Sequence, residues 1–165
     1  MDCVAIIPAR YGSTRFPGKP LATLLGRPLI QHVVARCAAV EGIARVIVAT
    51  DDERIVEAVR DTAAEAVLMS GEFASGTDRV AEVAAQLEAE IIVNVQGDEP
   101  LIDSGELGVA LRAFRDAGVE YGTLRAPLRT PDDLWDPNTV KVVVDSEGTA
   151  LYFSRSPLPF PRAQY

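Results

Sequence analysis

The sequence has one histidine, one tryptophan and only two cysteines in 165 residues. Cys3 and Cys37 lack the paired spacing of a metal or redox motif. Each stands in an apolar-patterned stretch, which predicts buried free thiols. The lone His32 sits among apolar positions at helical spacing and reads as structural. No apolar run is long enough to span a bilayer. The N-terminus has no basic region followed by an apolar stretch and a small-residue cleavage site. These absences predict a soluble, cytoplasmic protein. Positive charge is also short: 16 Lys and Arg stand against 24 Asp and Glu, a formal net charge of −8. That balance argues against non-specific binding to nucleic acid. No internal repeat, low-complexity segment or interdomain linker is visible, so residues 1–165 read as a single domain.

What is present is a chain rich enough in apolar residues, at 48%, to bury a core. Val4–Ile7 is a short apolar run ending at Pro8, the pattern of a buried strand. Residues 8–27 read as loop, and Pro28 suits the first turn of a helix carrying Leu29, Ile30, Val33, Val34 and Cys37 on one face. Arg45–Ala49 reads as the second strand. Asp51 or Asp52 caps the helix that follows. Ala66–Met69 and Ile91–Val95 read as strands, and Thr77–Leu87 as a helix between them. Asp103 with Glu106 forms a capping-box pattern, and Gly118 suits a left-handed helix exit. Tyr121–Ala126, Val140–Asp145 and Leu151–Ser154 read as further strands, the last two joined by a "DSEG" turn. Alternation of strands and helices through the first 120 residues predicts a three-layer α/β/α fold with a mainly parallel (mixed) sheet. Ligands of such sheets bind at the carboxyl ends of the strands.

The loop after the first strand reads "PARYGSTRFPGKP". Arg10, Arg15 and Lys19 cluster there in an otherwise acidic chain. Glycines allow close backbone approach, arginines offer paired planar donors and lysine a compact charge, a set suited to a polyphosphate. Two familiar phosphate loops are excluded. A Walker A loop has four residues between its glycines and Ser or Thr after the lysine. Here five residues separate Gly12 from Gly18, and Pro20 follows Lys19. No G-x-G-x-x-G stands in this loop either.

"IPARYGSTRFPGKPL" resembles the N-terminal signature of the CMP-Kdo synthetases, the 3-deoxy-D-manno-octulosonate cytidylyltransferases, within the sugar nucleotidyltransferases. Tyr11 and Thr14–Arg15–Phe16 differ from the loop of the relatives that activate sialic acid. "VIVATDD", "SGTDRVAEV", "IIVNVQGDEP", "PNTVKVVVD" and "ALYFSRSPLPF" resemble the same family in the same order. Asp78 stands where the family often has Glu. Family members run to roughly one and a half times this length. The resemblance implies that the additional region supplies much of the sugar pocket, a second metal-binding aspartate and much of a homodimer contact.

The resemblance implies a Rossmann-like nucleotidyltransferase fold. It also implies a reaction of CTP with Kdo that yields CMP-Kdo and pyrophosphate for lipopolysaccharide. The anomeric hydroxyl would attack the α-phosphorus in line, with Mg²⁺ as cofactor. Arg10, Arg15 and Lys19 would bind the β- and γ-phosphates and stabilise the leaving pyrophosphate. Backbone amides near Gly12 and Ser13 would add donors. Asp98, beyond a strong apolar strand, is the candidate Mg²⁺ ligand; the alternative is a turn-forming aspartate in "GDEP". Ser75, Gly76, Thr77 and Arg79 resemble the part that recognises cytosine and ribose, although Ser75 also suits a helix cap with Asp78. Gln96 resembles a residue near nucleotide and sugar. Arg155 resembles a sugar-site arginine that meets the Kdo carboxylate; a surface arginine after an edge strand is the alternative. Two other functions stay open: a CTP-binding fragment without turnover, and a cytidylyltransferase for another acidic sugar.

Overall fold

Alternating faces along one buried strand organise the fold. Strand β1 (Cys3–Ala9) is almost wholly buried, and successive side chains point to opposite sides of the sheet. The structure is a computed structural model that describes residues 2–12, 16–160 and 162. It divides into two compact units, Met1–Val119 and Glu120–Tyr165.

In the first unit β1 leads to a 3-10 turn over Lys19–Leu21 and a small antiparallel ribbon, β2 (Thr23–Leu24) and β3 (Arg27–Pro28). Four helices then alternate with three strands: α1 (Leu29–Ala38), β4 (Arg45–Thr50), α2 (Glu53–Val59), β5 (Ala64–Leu68), α3 (Gly76–Ala84), β6 (Ile91–Asn94) and α4 (Ser104–Ala117). The main sheet has the order β5-β4-β1-β6, and every pairing is parallel. Ala5, Ile7, Val46 and Val48 pack against Ile30, Val33 and Cys37 of α1, Ile55 and Val59 of α2 and Leu107 of α4. Val4, Ile6, Ile47 and Ala49 pack on the other face against Val80 and Val83 of α3. Helices thus cover both faces, the condition under which parallel strands are apolar throughout. The expected three-layer α/β/α arrangement is present in this unit.

Local signals place most boundaries. Asp103 accepts from the Glu106 N–H at 2.9 Å and starts α4. Gly118 ends it at φ 61°. Pro28 is the N-cap of α1 and lies outside its first turn. His32 Nε2 lies 2.7 Å from the Leu24 carbonyl, which ties α1 to the ribbon and bears out the structural reading. Both cysteines are free and buried, and burial pushes the Cys37 thiol up to about 12.

The second unit holds a short helix, α5 (Pro131–Trp135), and a hairpin of β7 (Lys141–Val144) with β8 (Ala150–Ser154). The strand expected at Tyr121–Ala126 is absent. No neighbouring strand pairs with that backbone, and Tyr121 and Leu124 remain largely exposed. Lys141 is buried, and its ammonium donates to the carbonyls of Asp136, Thr139 and Arg155 at 2.8, 2.7 and 2.6 Å. All three of its donors are thereby used. Lys141→Met would strand those carbonyls, at about 1–3 kcal/mol for each one that water cannot reach. Hydrogen exchange in β7 and β8 is expected to speed up by at least about tenfold, with α1 and β1 unchanged. Unchanged protection in the hairpin would show that the ammonium is not its staple.

Candidate active site

The cleft is built on two close backbone approaches. Gly97 follows β6 where a Cβ would stand 2.9 Å from the Pro8 carbonyl oxygen, so only a glycine lets this turn pass the end of β1. Gly18 adopts φ 69°, and a Cβ there would stand 2.9 Å from the Tyr11 ring. The Gly18 N–H also donates to the Tyr11 carbonyl at 2.9 Å, which closes the base of the basic loop. The Arg54 guanidinium lies 3.4 Å from the centroid of the Tyr11 ring. Arg54 is itself gripped by Asp52 through Nε and Nη2 at 2.8 and 2.7 Å. That pairing holds the Asp52 carboxyl below the usual carboxylate range. Asp52 caps α2 by accepting from the Arg54 N–H at 2.9 Å.

These elements frame a cleft of about 840 Å³ at the carboxyl ends of β1, β4 and β6. Arg10, Gly12, Lys19, Ser75, Gly76, Arg79, Gln96 and Asp98 all line it. Eight of the expected site residues, spread over nearly ninety positions, therefore meet in one place. Lys19 Nζ lies 2.6 Å from Asp98 Oδ2, and both side chains are substantially exposed to the cleft. Ser75 caps α3, its hydroxyl accepting from the Asp78 N–H at 3.1 Å and donating to Asp78 Oδ2 at 2.7 Å. Thr77 is not in the lining; its hydroxyl accepts from Asn94 Nδ2 at 3.4 Å, and Asn94 Oδ1 accepts from Gln96 Nε2 at 3.1 Å. Ser13 and Arg15 lie outside the described residues. Arg155 belongs to the second unit, where its Nη1 donates to the Pro137 carbonyl at 2.7 Å.

Arg79 is 5% exposed, paired to Asp51 at 2.8 Å, with the Phe73 ring 5.1 Å from its guanidinium carbon. Asp51 and Phe73 both line the cleft and were not among the expected site residues. The signal for Asp51 was the doubled acid in "TDDE": one aspartate suffices for the cap, which leaves the other available. Nothing in the sequence singled out Phe73. Among the described residues no three His, Cys, Asp or Glu side chains gather as a metal cluster. Asp98 offers a single accessible carboxylate, a donor set that suits a hard cation sharing its remaining positions with phosphate oxygens and water.

The profile of one family, described as cytidylyltransferase, matches residues 4–165. The chain belongs to the cytidylyltransferase family. It is 53% identical over its whole length to a 3-deoxy-manno-octulosonate cytidylyltransferase of Trichlorobacter lovleyi, of which it covers 66%. Another enzyme of that name, from Geobacter metallireducens, is 54% identical over 96% of the chain, which covers 63% of it. The chain thus spans slightly less than two thirds of these relatives. The solved structure of CMP:2-keto-3-deoxy-manno-octonic acid synthetase complexed with CTP superposes with a TM-score of 0.89. It is 43% identical, and the match covers 99% of this chain and 68% of that one. The α/β fold of this cytidylyltransferase-family chain is therefore the nucleotidyltransferase fold, and the resemblance drawn from the quoted segments holds.

Proposed function

We propose that this chain transfers CMP from CTP to 3-deoxy-D-manno-octulosonate, releasing pyrophosphate and supplying an activated sugar for lipopolysaccharide. The observation that carries the reading is the meeting of Lys19 and Asp98, 79 residues apart in sequence, in a cleft also lined by Arg10, Arg79 and Gln96. The 53% identity to a named 3-deoxy-manno-octulosonate cytidylyltransferase supports the choice of sugar.

In this reading the anomeric oxygen of the sugar forms a bond to the α-phosphorus as the bond to the pyrophosphate oxygen breaks. The hydroxyl proton passes to solvent, and no covalent enzyme intermediate forms. The residues contribute position and charge. Arg10 and Lys19 bind the β- and γ-phosphates and meet the charge growing on the leaving group. Ser75, Gly76, Arg79 and Gln96 line the wall assigned to cytidine, and Arg155 is the candidate partner of the sugar carboxylate. Asp98 would hold Mg²⁺ together with phosphate oxygens; when bound, the ion neutralises triphosphate charge. Lys19 and Asp98 stand 2.6 Å apart, so a phosphate held by Lys19 would lie beside a cation held by Asp98.

The test is pyrophosphate release by the 165-residue chain with CTP, Mg²⁺ and fresh Kdo, with GTP, UTP and sialic acid as controls. Release is expected only with CTP and Kdo together, and EDTA should abolish it. Release with another acidic sugar but not Kdo would reject the substrate. CTP binding with no release would identify a nucleotide-binding piece without turnover.

A further inference from the structure

We propose that Asp51 is a positioning residue that locks the basic loop to the cytidine wall. The inference rests on the cytidylyl-transfer reading. Asp51 and Asp52 are neighbours at the end of β4, yet their carboxylates do different work. Asp52 is consumed by the α2 cap and by Arg54. Asp51 turns away from that helix. Its Oδ2 accepts from Arg79 Nη2 at 2.8 Å, and its Oδ1 accepts from the Tyr11 N–H at 3.4 Å. One carboxylate therefore joins the loops after β1 and β4 to the first turns of α3.

Arg79 makes this arrangement consequential. A guanidinium that is 5% exposed needs a compensating charge, and Asp51 is its ion-pair partner among the described residues. Arg79 Nη1 is buried and has no hydrogen-bond partner. Buried side-chain donors are normally satisfied. Arg79 lines the cleft, and Asp51 fixes where its guanidinium stands toward a ligand there. The Tyr11 contact extends the same constraint to the loop that carries Arg10 and Lys19.

The experiment measures CTP affinity by calorimetry for the full 165-residue chain and for Asp51→Asn, Asp51→Glu, Arg79→Met and the Asp51→Asn/Arg79→Met double variant. Circular dichroism and Tm are recorded for each. Asp51→Asn keeps the side-chain shape and is expected to weaken CTP binding about tenfold, whereas in the Arg79→Met background it should add less than about threefold. Asp51→Glu, which restores the charge, should bind more tightly than Asp51→Asn. A merely structural Asp51 would lower Tm but leave the affinity of the folded protein within about twofold, and would give additive effects. Either result overturns the inference. Should Asp51→Asn fail to fold, the decision passes to Asp51→Glu beside Arg79→Met: wild-type affinity in both overturns the inference, and weakening by Arg79→Met with near-wild-type binding by Asp51→Glu supports it. Absence of CTP binding by the unmodified chain would reject the cytidylyl-transfer reading and this inference with it; normal binding by Asp51→Asn would reject the inference alone.

Discussion

Lys19→Ala is expected to cut pyrophosphate release by about 10²–10³-fold while changing folding stability by less than about 1 kcal/mol. The two effects separate because of where the ammonium sits. Lys19 touches Asp98 at 2.6 Å, but their side chains are 38% and 49% exposed, so solvent screens the pair. The turn that carries Lys19 is held by other groups: Pro20 is buried, and the Leu21 N–H donates to the Gly18 carbonyl at 2.8 Å. Losing a compact cation from a triphosphate site removes a charge-assisted contact that strengthens as pyrophosphate departs. Urea unfolding run beside the release assay checks both numbers, and CTP affinity serves if turnover is too slow to follow. Lys19→Arg should recover part of the loss, because charge is kept but the compact geometry is not. Proportionate losses of stability and activity would make Lys19 a structural residue.

The parallel sheet was legible because both of its faces are covered. β1 is an unbroken apolar run and β4 is one from Val46 to Ala49, and α1 shows its buried face through Ile30, Val33, Val34 and Cys37. Capping chemistry set the ends where one side chain acts locally, as with Asp103 and Gly118. The expected strand at Tyr121–Ala126 does not form, because a strand depends on a partner that the local pattern cannot reveal. The basic loop was visible as three cations in a chain of net charge −8. Its wiring was not. Pairing of Lys19 with Asp98 and of Asp51 with Arg79 joins residues 79 and 28 positions apart. Such distances are bridged by the strand order β4-β1-β6, which sets the ends of three non-consecutive strands side by side. Arg79 is legible as a site residue through resemblance, while its burial and its unpartnered Nη1 follow only from tertiary packing.

Gly97→Ala is expected to lower stability by about 1–3 kcal/mol, the usual cost of forcing a methyl into a filled site. Backbone conformation is not the cause, since Gly97 is not among the glycines with positive φ. Space is the cause: the added carbon would stand 2.9 Å from the Pro8 carbonyl oxygen and 3.6 Å from methyl carbons of Ile30 and Ile7. A carbonyl on a central strand cannot rotate aside as a side chain can, so β1 and the turn after β6 must separate. In a domain of this size each kcal/mol corresponds to about 2–4 °C in Tm. Gly12→Ala is the control, because a Cβ there meets nothing within 4 Å, and its Tm should match the unmodified chain. The strain also has a functional readout. Asp98 is the next residue along the same turn, so Gly97→Ala should displace its carboxylate from Lys19 and weaken CTP binding in Mg²⁺ more than in its absence. An unchanged Tm would mean the strand end and the turn can part at no cost. An unchanged affinity beside a lowered Tm would mean that the close approach serves the fold and leaves the placement of Asp98 to other contacts.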